Sequence, residues 1–258
     1  MYLTWLDSNS WLIEMGDQRI LLDPWLVGSL TFGNMDWLFK GDRLTPRPIP
    51  DSIDLILLSQ GLEDHAHPPT LKALDRSIPV VASPNAAKVV NSLGYQHVTS
   101  LAHGETFTLG DRLTIQAVPG SPIGPLLTEN GYVLTDTDRN QTLYYEPHGY
   151  HAPVLDALAP IDVVITPVVG LHLPLLGPVI QGDRTALDVA KRLRPQFIVP
   201  TAAGGDITFE GLLLSLLKAN GSADELRSQL AHHQLPTQVF EPKPGDRVEV
   251  PLLAPCPS

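Results

Sequence analysis

Apolar and polar positions along this chain alternate with two different periods, and the changes of period mark its elements. Residues 2–6 and 10–15 are rich in Trp, Leu and Ile and read as a pair of strands. Gly16-Asp17 is a hairpin signal, and Gln18 to Leu22 returns as a third strand. That strand ends at Asp23-Pro24, where a strand end with a proline stop accounts for Asp23. Ile53 to Leu58 is an apolar run interrupted only by Asp54, the pattern of a strand buried on both faces. It stops at Ser59-Gln60-Gly61. A helix is expected over Pro69 to Asp75, with Pro68-Pro69 suited to its first turn. A short strand at Ile78 to Val81 and a helix from Pro84 to Leu93, stopped by Gly94, come next.

The middle of the chain is strand-rich, with strands expected at 97–100, 105–109, 112–118, 131–136 and 141–145. His151 to Leu158 has a helical pattern, and Asp162 to Thr166 reads as a buried strand. Asp183 to Leu193 fits an amphipathic helix: Asp183 can cap it, and Ala186, Leu187, Ala190 and Leu193 share a face. Phe197 to Val199 is a strand ending at Pro200. Helices are expected over Phe209 to Ala219 and Ala223 to His232, and the leucine run from Leu212 to Leu217 reads as a core helix. Arg247 to Val250 is a final strand.

Residues 24–50 show neither period, yet they carry Trp25, Phe32, Trp37 and Phe39. A connection of this length is either a lid or binding loop, or an apolar cluster covering one end of the fold. The loop around His172 carries Leu171, Leu173, Leu175 and Leu176. An apolar small molecule, or the acyl part of one, is expected between these two segments.

Composition narrows the partners. The net charge is −11 and no basic run exists, which argues against nucleic acid. Lys40, Arg43 and Arg47 are the cations of the 24–50 segment and sit at one end of it, too few for an anionic substrate. No apolar run reaches membrane-spanning length, so an integral membrane protein is not expected. Cys256 is the one cysteine and cannot form an intrachain disulfide, which suits a reducing cytoplasm or a stroma-like compartment.

The chemistry concentrates where the buried run ends. Glu63, Asp64, His65 and His67 follow it directly, a density of ligands and proton carriers that suits a loop after a buried strand. The stretch from Ser59 to His65 resembles the metallo-β-lactamase superfamily, whose segment reads S-H-x-H-x-D-H. Ser59, Asp64 and His65 match that register, whereas Gln60 and Leu62 stand where two histidine ligands would be. The early strands and the Asp23-Pro24 step resemble the branch with sugar-phosphate lactonases and phospholipase-like enzymes.

The resemblance implies an α/β (α+β) chain folded as a four-layer αββα sandwich, with residues 1–258 as a single domain. A third-motif histidine would follow Val118, but Pro119-Gly120-Ser121-Pro122 stands there. The bridging aspartate would follow Tyr145, where Glu146 or His148 must take its place. The final histidine would follow Pro200, where Thr201-Ala202-Ala203-Gly204-Gly205 contains none. The resemblance therefore implies that Asp64, His65 and His148 hold one divalent metal (Zn, Mn or Fe) or, if the site has lost its role, none, and a normal two-metal site is not expected. Asp64, Glu146 and His172 are the candidate catalytic groups, the last two as proton shuttles. His97, His103, His232 and His233 are given no role.

Two functions fit. One is a mono-metal hydrolase of an ester, lactone or amide bond in an apolar small molecule. The other is a metal-free, catalytically inactive descendant that binds a hydrophobic ligand or a protein partner. A metal-independent hydrolase using Ser59 or Ser121 is a third arrangement, without a G-x-S-x-G elbow to support it.

Overall fold

The computed structural model describes residues 1–123, 127–174, 177–202 and 204–253. Leu175, Leu176, Ala203 and Cys256 lie outside the described residues. Two seven-stranded sheets face each other. The first runs, in spatial order, Arg247–Glu249, Tyr2–Trp5, Trp11–Met15, Gln18–Leu22, Leu55–Leu58, Val80–Ala82 and Val98–Ser100. The second runs Gln238–Val239, Phe197–Pro200, Val163–Thr166, Gln141–Tyr145, Leu127–Asp136, Leu113–Ile123 and Thr106–Leu109.

Alternation within the strands builds the layers. Leu55 and Leu57 point between the sheets, where they meet Ile115, Leu134, Leu143 and Ile165. Ile56 and Leu58 point outward and pack on Leu71, Ala86 and Val90 of the helices Pro68–Ala73 and Pro84–Ser92. On the other side Tyr144, Val164 and Ile198 pack on Val189, Leu193, Leu226 and Leu230 of Gly182–Leu193 and Ala223–His232. The result is the expected αββα sandwich. A strand buried on both faces needs apolar residues at every position, which is why Leu55–Leu58 shows no alternation in polarity.

Several local expectations are corrected. The segment read as a helix over Phe209 to Ala219 is a strand, Ile207–Glu210, one helical turn, Leu212–Leu216, and a strand, Lys218–Asn220. The turn buries no residue, so it is not a core helix. Gly211, at φ 118°, breaks the helical backbone before the turn, and glycine is needed there because a Cβ would meet the Leu38 carbonyl oxygen at 2.6 Å. The loop around His172 is a hairpin, Gly170–Leu173 with Gly177–Gln181, and Lys218–Asn220 pairs with it. The 24–50 segment holds two short strands, Leu30–Thr31 and Lys40–Arg43, which pair with each other, and Lys40–Arg43 pairs on its other side with Ile207–Glu210. Asp183 does not cap its helix: Gln181 precedes it and Asp183 lies in the first turn. His151 to Leu158 narrows to a 3₁₀ turn, Pro153–Leu158. The strand expected at 112–118 runs on, with a bulge, through Pro119-Gly120-Ser121-Pro122 to Ile123. No helix of the described residues is long and apolar enough to cross a membrane.

Candidate functional site

The site forms where strands of both sheets end side by side. Leu55–Leu58 runs out into the loop bearing Asp64 and His65, and Gln141–Tyr145 runs out into the loop bearing His148. Asp64, His65 and His148 come together, with one ligand atom from each within 4.8 Å of the others. The His65 and His148 rings lie 5.2 Å apart, centre to centre.

Asp23 holds this corner in place. Its carboxylate accepts from the Ser59 amide at 2.7 Å and from the Tyr145 hydroxyl at 2.7 Å, and the Ser59 hydroxyl donates to it as well. His65 Nδ1 lies 2.7 Å from the same carboxylate. Four donors from three residues therefore converge on one fully buried acid. A proline stop is not its purpose. The Asp-Pro step marked its place in the sequence, but the partners come from residues 59, 65 and 145 and are invisible there.

His65 is enclosed by acids on both sides, since its Nε2 lies 3.2 Å from Asp64. Burial alone would pull its pKa down, but Asp64 and Asp23 outweigh that and raise it to about 10. Burial likewise pushes Asp64 toward its neutral form, and the charge on His65 overcomes it, leaving the carboxyl below its usual range. His148 has no such acid in contact. Burial, reinforced by the charge on His65, lowers its pKa to about 3, so it is neutral at pH 7. Gln60 Nε2 lies 3.1 Å and Ser121 Oγ 3.3 Å from His148 Nδ1. Gln60, standing where a ligand was expected, thus supports a histidine instead.

Glu146 and His172 do not join the three. Glu146 is fully buried and turns into its own loop, accepting from the His148 amide at 3.1 Å and the Tyr150 amide at 2.7 Å. It fixes the loop that carries His148. Burial pushes its pKa up to about 7, against these backbone donors. His172 lies on the 170–181 hairpin, 3.5 Å from Asp183, and is not among the residues lining the cavity at the site. Leu171 and Leu173, on either side of it, do line that cavity, as period-two alternation requires. His67 is likewise turned away, with Nδ1 3.0 Å from Thr70 Oγ1 and Nε2 3.2 Å from the Ser29 carbonyl. Ser59 and Ser121 are both buried and outside the cavity lining, so neither hydroxyl is placed as a nucleophile.

The cavity has a volume of about 510 Å³. Asp64, His148, Ser8 and Asn9 form its polar end. Its walls are apolar and come from three segments: Leu30, Phe32 and Phe39; Leu171, Leu173, Val179 and Ile180; and Phe209, Leu213, Leu214 and Leu217. The third wall is the segment misread as a core helix. Of the aromatic residues expected here, Trp25 is fully buried behind the wall and Trp37 is exposed outside it. The three basic residues are occupied elsewhere. Arg43 and Arg47 bind the buried Asp7, and Lys40 lies 2.6 Å from Asp42.

Asn9 carries a signal that sequence reasoning missed. Its amide nitrogen lies 3.4 Å from His65 Nε2, and its Oδ1 is buried without a partner. The preceding Asp7 and Ser8 both have positive φ, 70° and 49°, which turns Asn9 into the site. The run Asp-Ser-Asn-Ser between two strands was the available cue.

The acid-flanked histidine predicts a pH dependence. In metal-free protein the folded-state pKa of His65 lies above its unfolded value of 6.5. Its stabilising contribution is therefore complete below pH 6.5 and lost as pH rises toward about 10. Thermal midpoints measured in chelator at pH 7 and 9.5 are expected to fall for the wild type, and to fall less for His65→Gln. Equal falls would mean that His65 is not held as a cation.

The fold has counterparts among known proteins. The family described as Beta-lactamase superfamily domain matches residues 2–202. A metal-dependent hydrolase of the UPF0173 group from Brucella anthropi is 27% identical over 187 residues, covering 71% of this chain and 74% of that one. Another, from Rhizobium etli, is 30% identical over 110 residues, 43% of each chain. Among solved structures, isothiocyanate hydrolase from Delia radicum gut bacteria superposes with a TM-score of 0.71 at 19% identity, over 97% of this chain and 99% of that one. A possible metal-dependent hydrolase from Veillonella parvula gives 0.70 at 15% identity over 97% and 99%. With the match covering all but one edge strand of each sheet and the whole cluster of Asp64, His65 and His148, the chain belongs to the metallo-β-lactamase superfamily.

Proposed function

We propose that the protein is a mono-metal hydrolase of an ester, lactone or amide bond in an apolar small molecule. The observation that carries this reading is a cavity of about 510 Å³ whose apolar walls end on Asp64 and His148. The donor set suits one ion. It offers one carboxylate and two imidazoles, a common combination for zinc or iron. Asp64 Oδ1 is buried without a partner, an oxygen left over for a cation. His65 places its Nδ1 on Asp23, the arrangement that orients a ligating histidine through its other nitrogen. The set does not suit two ions, because Gln60, Leu62, Gly120 and Ala202 stand where the family's further ligands would be.

Asp64, His65 and His148 would hold the ion, which supplies Lewis acidity at the polar end. To hold the ion, His65 would need its Nε2 free of its proton, with Nδ1 kept on Asp23. His148, neutral at pH 7, needs no deprotonation. Glu146 keeps the 146–150 loop in shape. Asn9 lies at the same end of the cavity with an acceptor to spare, placed to orient a polar group of the substrate.

The substrate class follows from the walls. Each methylene removed from water contributes about 0.8 kcal/mol, roughly three- to fourfold in affinity. Binding of acyl esters and lactones is expected to strengthen with chain length until the cavity fills, with hydrolysis of the same compounds. A thermal-shift and turnover panel set against phosphorylated sugars checks this, and stabilisation by the phosphorylated set alone would overturn it.

A second reading has an observation of its own. Each of the three groups already has polar neighbours within the protein: His65 lies between two acids, and His148 Nδ1 faces Gln60 and Ser121. In that reading the cavity binds an apolar ligand without turnover. The same panel separates the two, because it would then show stabilisation without product.

A further inference from the structure

Ten large apolar side chains are exposed among the described residues, and six of them, Met35, Trp37, Val179, Phe209, Leu212 and Leu216, gather at one place. Val179 and Phe209 line the cavity as well as facing solvent. The Leu212 amide donates to the Trp37 carbonyl at 3.0 Å, and the Phe39 amide to the Met35 carbonyl at 3.2 Å. The 35–39 turn and the 212–216 helix are thus fastened together at the rim.

The helical turn itself is unusual. Leu213, Leu214 and Leu217 line the cavity, while Leu212 and Leu216 are 53% and 47% exposed. Four of the five residues of this turn are leucine, Ser215 being the exception, yet it buries none of them. A patch of this kind marks an interaction surface. Its flanking charges are mixed: Lys40 is paired with Asp42 and Glu210, and Asp36 and Lys218 have opposite signs.

We infer that the cavity mouth docks on the surface of a lipid bilayer with zwitterionic headgroups, so that an apolar ligand passes from lipid to cavity without crossing water. The patch is continuous with the cavity walls, which only an apolar medium would extend. A second copy of the chain seated here would close the mouth. Anionic lipid is disfavoured because the patch has no excess of positive charge and the chain carries −11. The inference goes beyond the hydrolase reading and stands without it, because docking is measured without turnover.

The test is flotation of the protein, as purified, with phosphatidylcholine vesicles. The wild type is expected to float, and the triple variant Trp37→Ser/Leu212→Ser/Leu216→Ser to partition about tenfold less or weaker. None of the three side chains lines the cavity. Circular dichroism and the thermal midpoint report whether the variant is folded. Should it not be, the wild type supplies a second measurement: vesicles should shift its tryptophan emission to the blue, and Trp37→Phe should remove most of that shift. Phosphatidylserine is expected to add nothing. The inference is overturned if the wild type stays in the buffer at every lipid concentration. It is also overturned if the folded variant floats equally, or if the wild type is a dimer that the substitutions make monomeric.

Discussion

Asp23→Ala is expected to cost about 3–5 kcal/mol of folding stability, the range for removing one partner of a buried ion pair. Asp23 is fully buried, and its carboxylate is the common acceptor for Ser59, His65 and Tyr145. Alanine would leave each of these donors without its acceptor, and a buried donor left unpaired bears its full desolvation cost. His65 would keep only Asp64 as an acid neighbour. Because the donors come from both sheets, the cost should appear in global unfolding rather than in local fraying. Urea denaturation measures it, and a loss below about 1 kcal/mol, typical of a surface substitution, would show that Asp23 is not the anchor described.

His148→Ala is expected to remove bound metal and turnover together while leaving the fold intact. Supporting residues outside a metal's own ligand set are commonly worth 10- to 100-fold in affinity, so loss of one of three ligands should exceed roughly 100-fold. The fold should survive because the ring lies at the cavity end and its loop is held independently. Glu146 accepts from two backbone amides of that loop, and the Gln181 amide donates to the His148 carbonyl at 2.8 Å. Metal content and circular dichroism of the same preparation check both parts. Full metal content in the variant would remove His148 from the ligand set. Loss of metal with loss of fold would make the role structural.

The fold was legible because its strands obey period two and the Asp-Pro and Ser59 to His65 register is local in sequence. Asp64, His65 and His148 were legible as a set because each follows a buried strand at its end. What the sequence hid depends on pairing across distance. Asp23 could not be recognised as the anchor without Tyr145, which comes from the opposite sheet. His172 was misjudged because a hairpin alternates: its neighbours Leu171 and Leu173 face the cavity and it does not. The leucine run at 212–217 was misread because its composition suits a core equally well. Only its pairing with the 37–38 backbone shows that it is a wall and a rim. Asn9 was missed because two consecutive residues of positive φ place it, and non-glycine residues seldom announce that conformation.

The metal content of protein purified without an affinity tag tests the central claim most directly. Mass spectrometry is expected to find one divalent ion per chain, which leaves in chelator along with hydrolysis of apolar esters. Two bridged ions per chain, or full hydrolysis by protein that holds none, would contradict it.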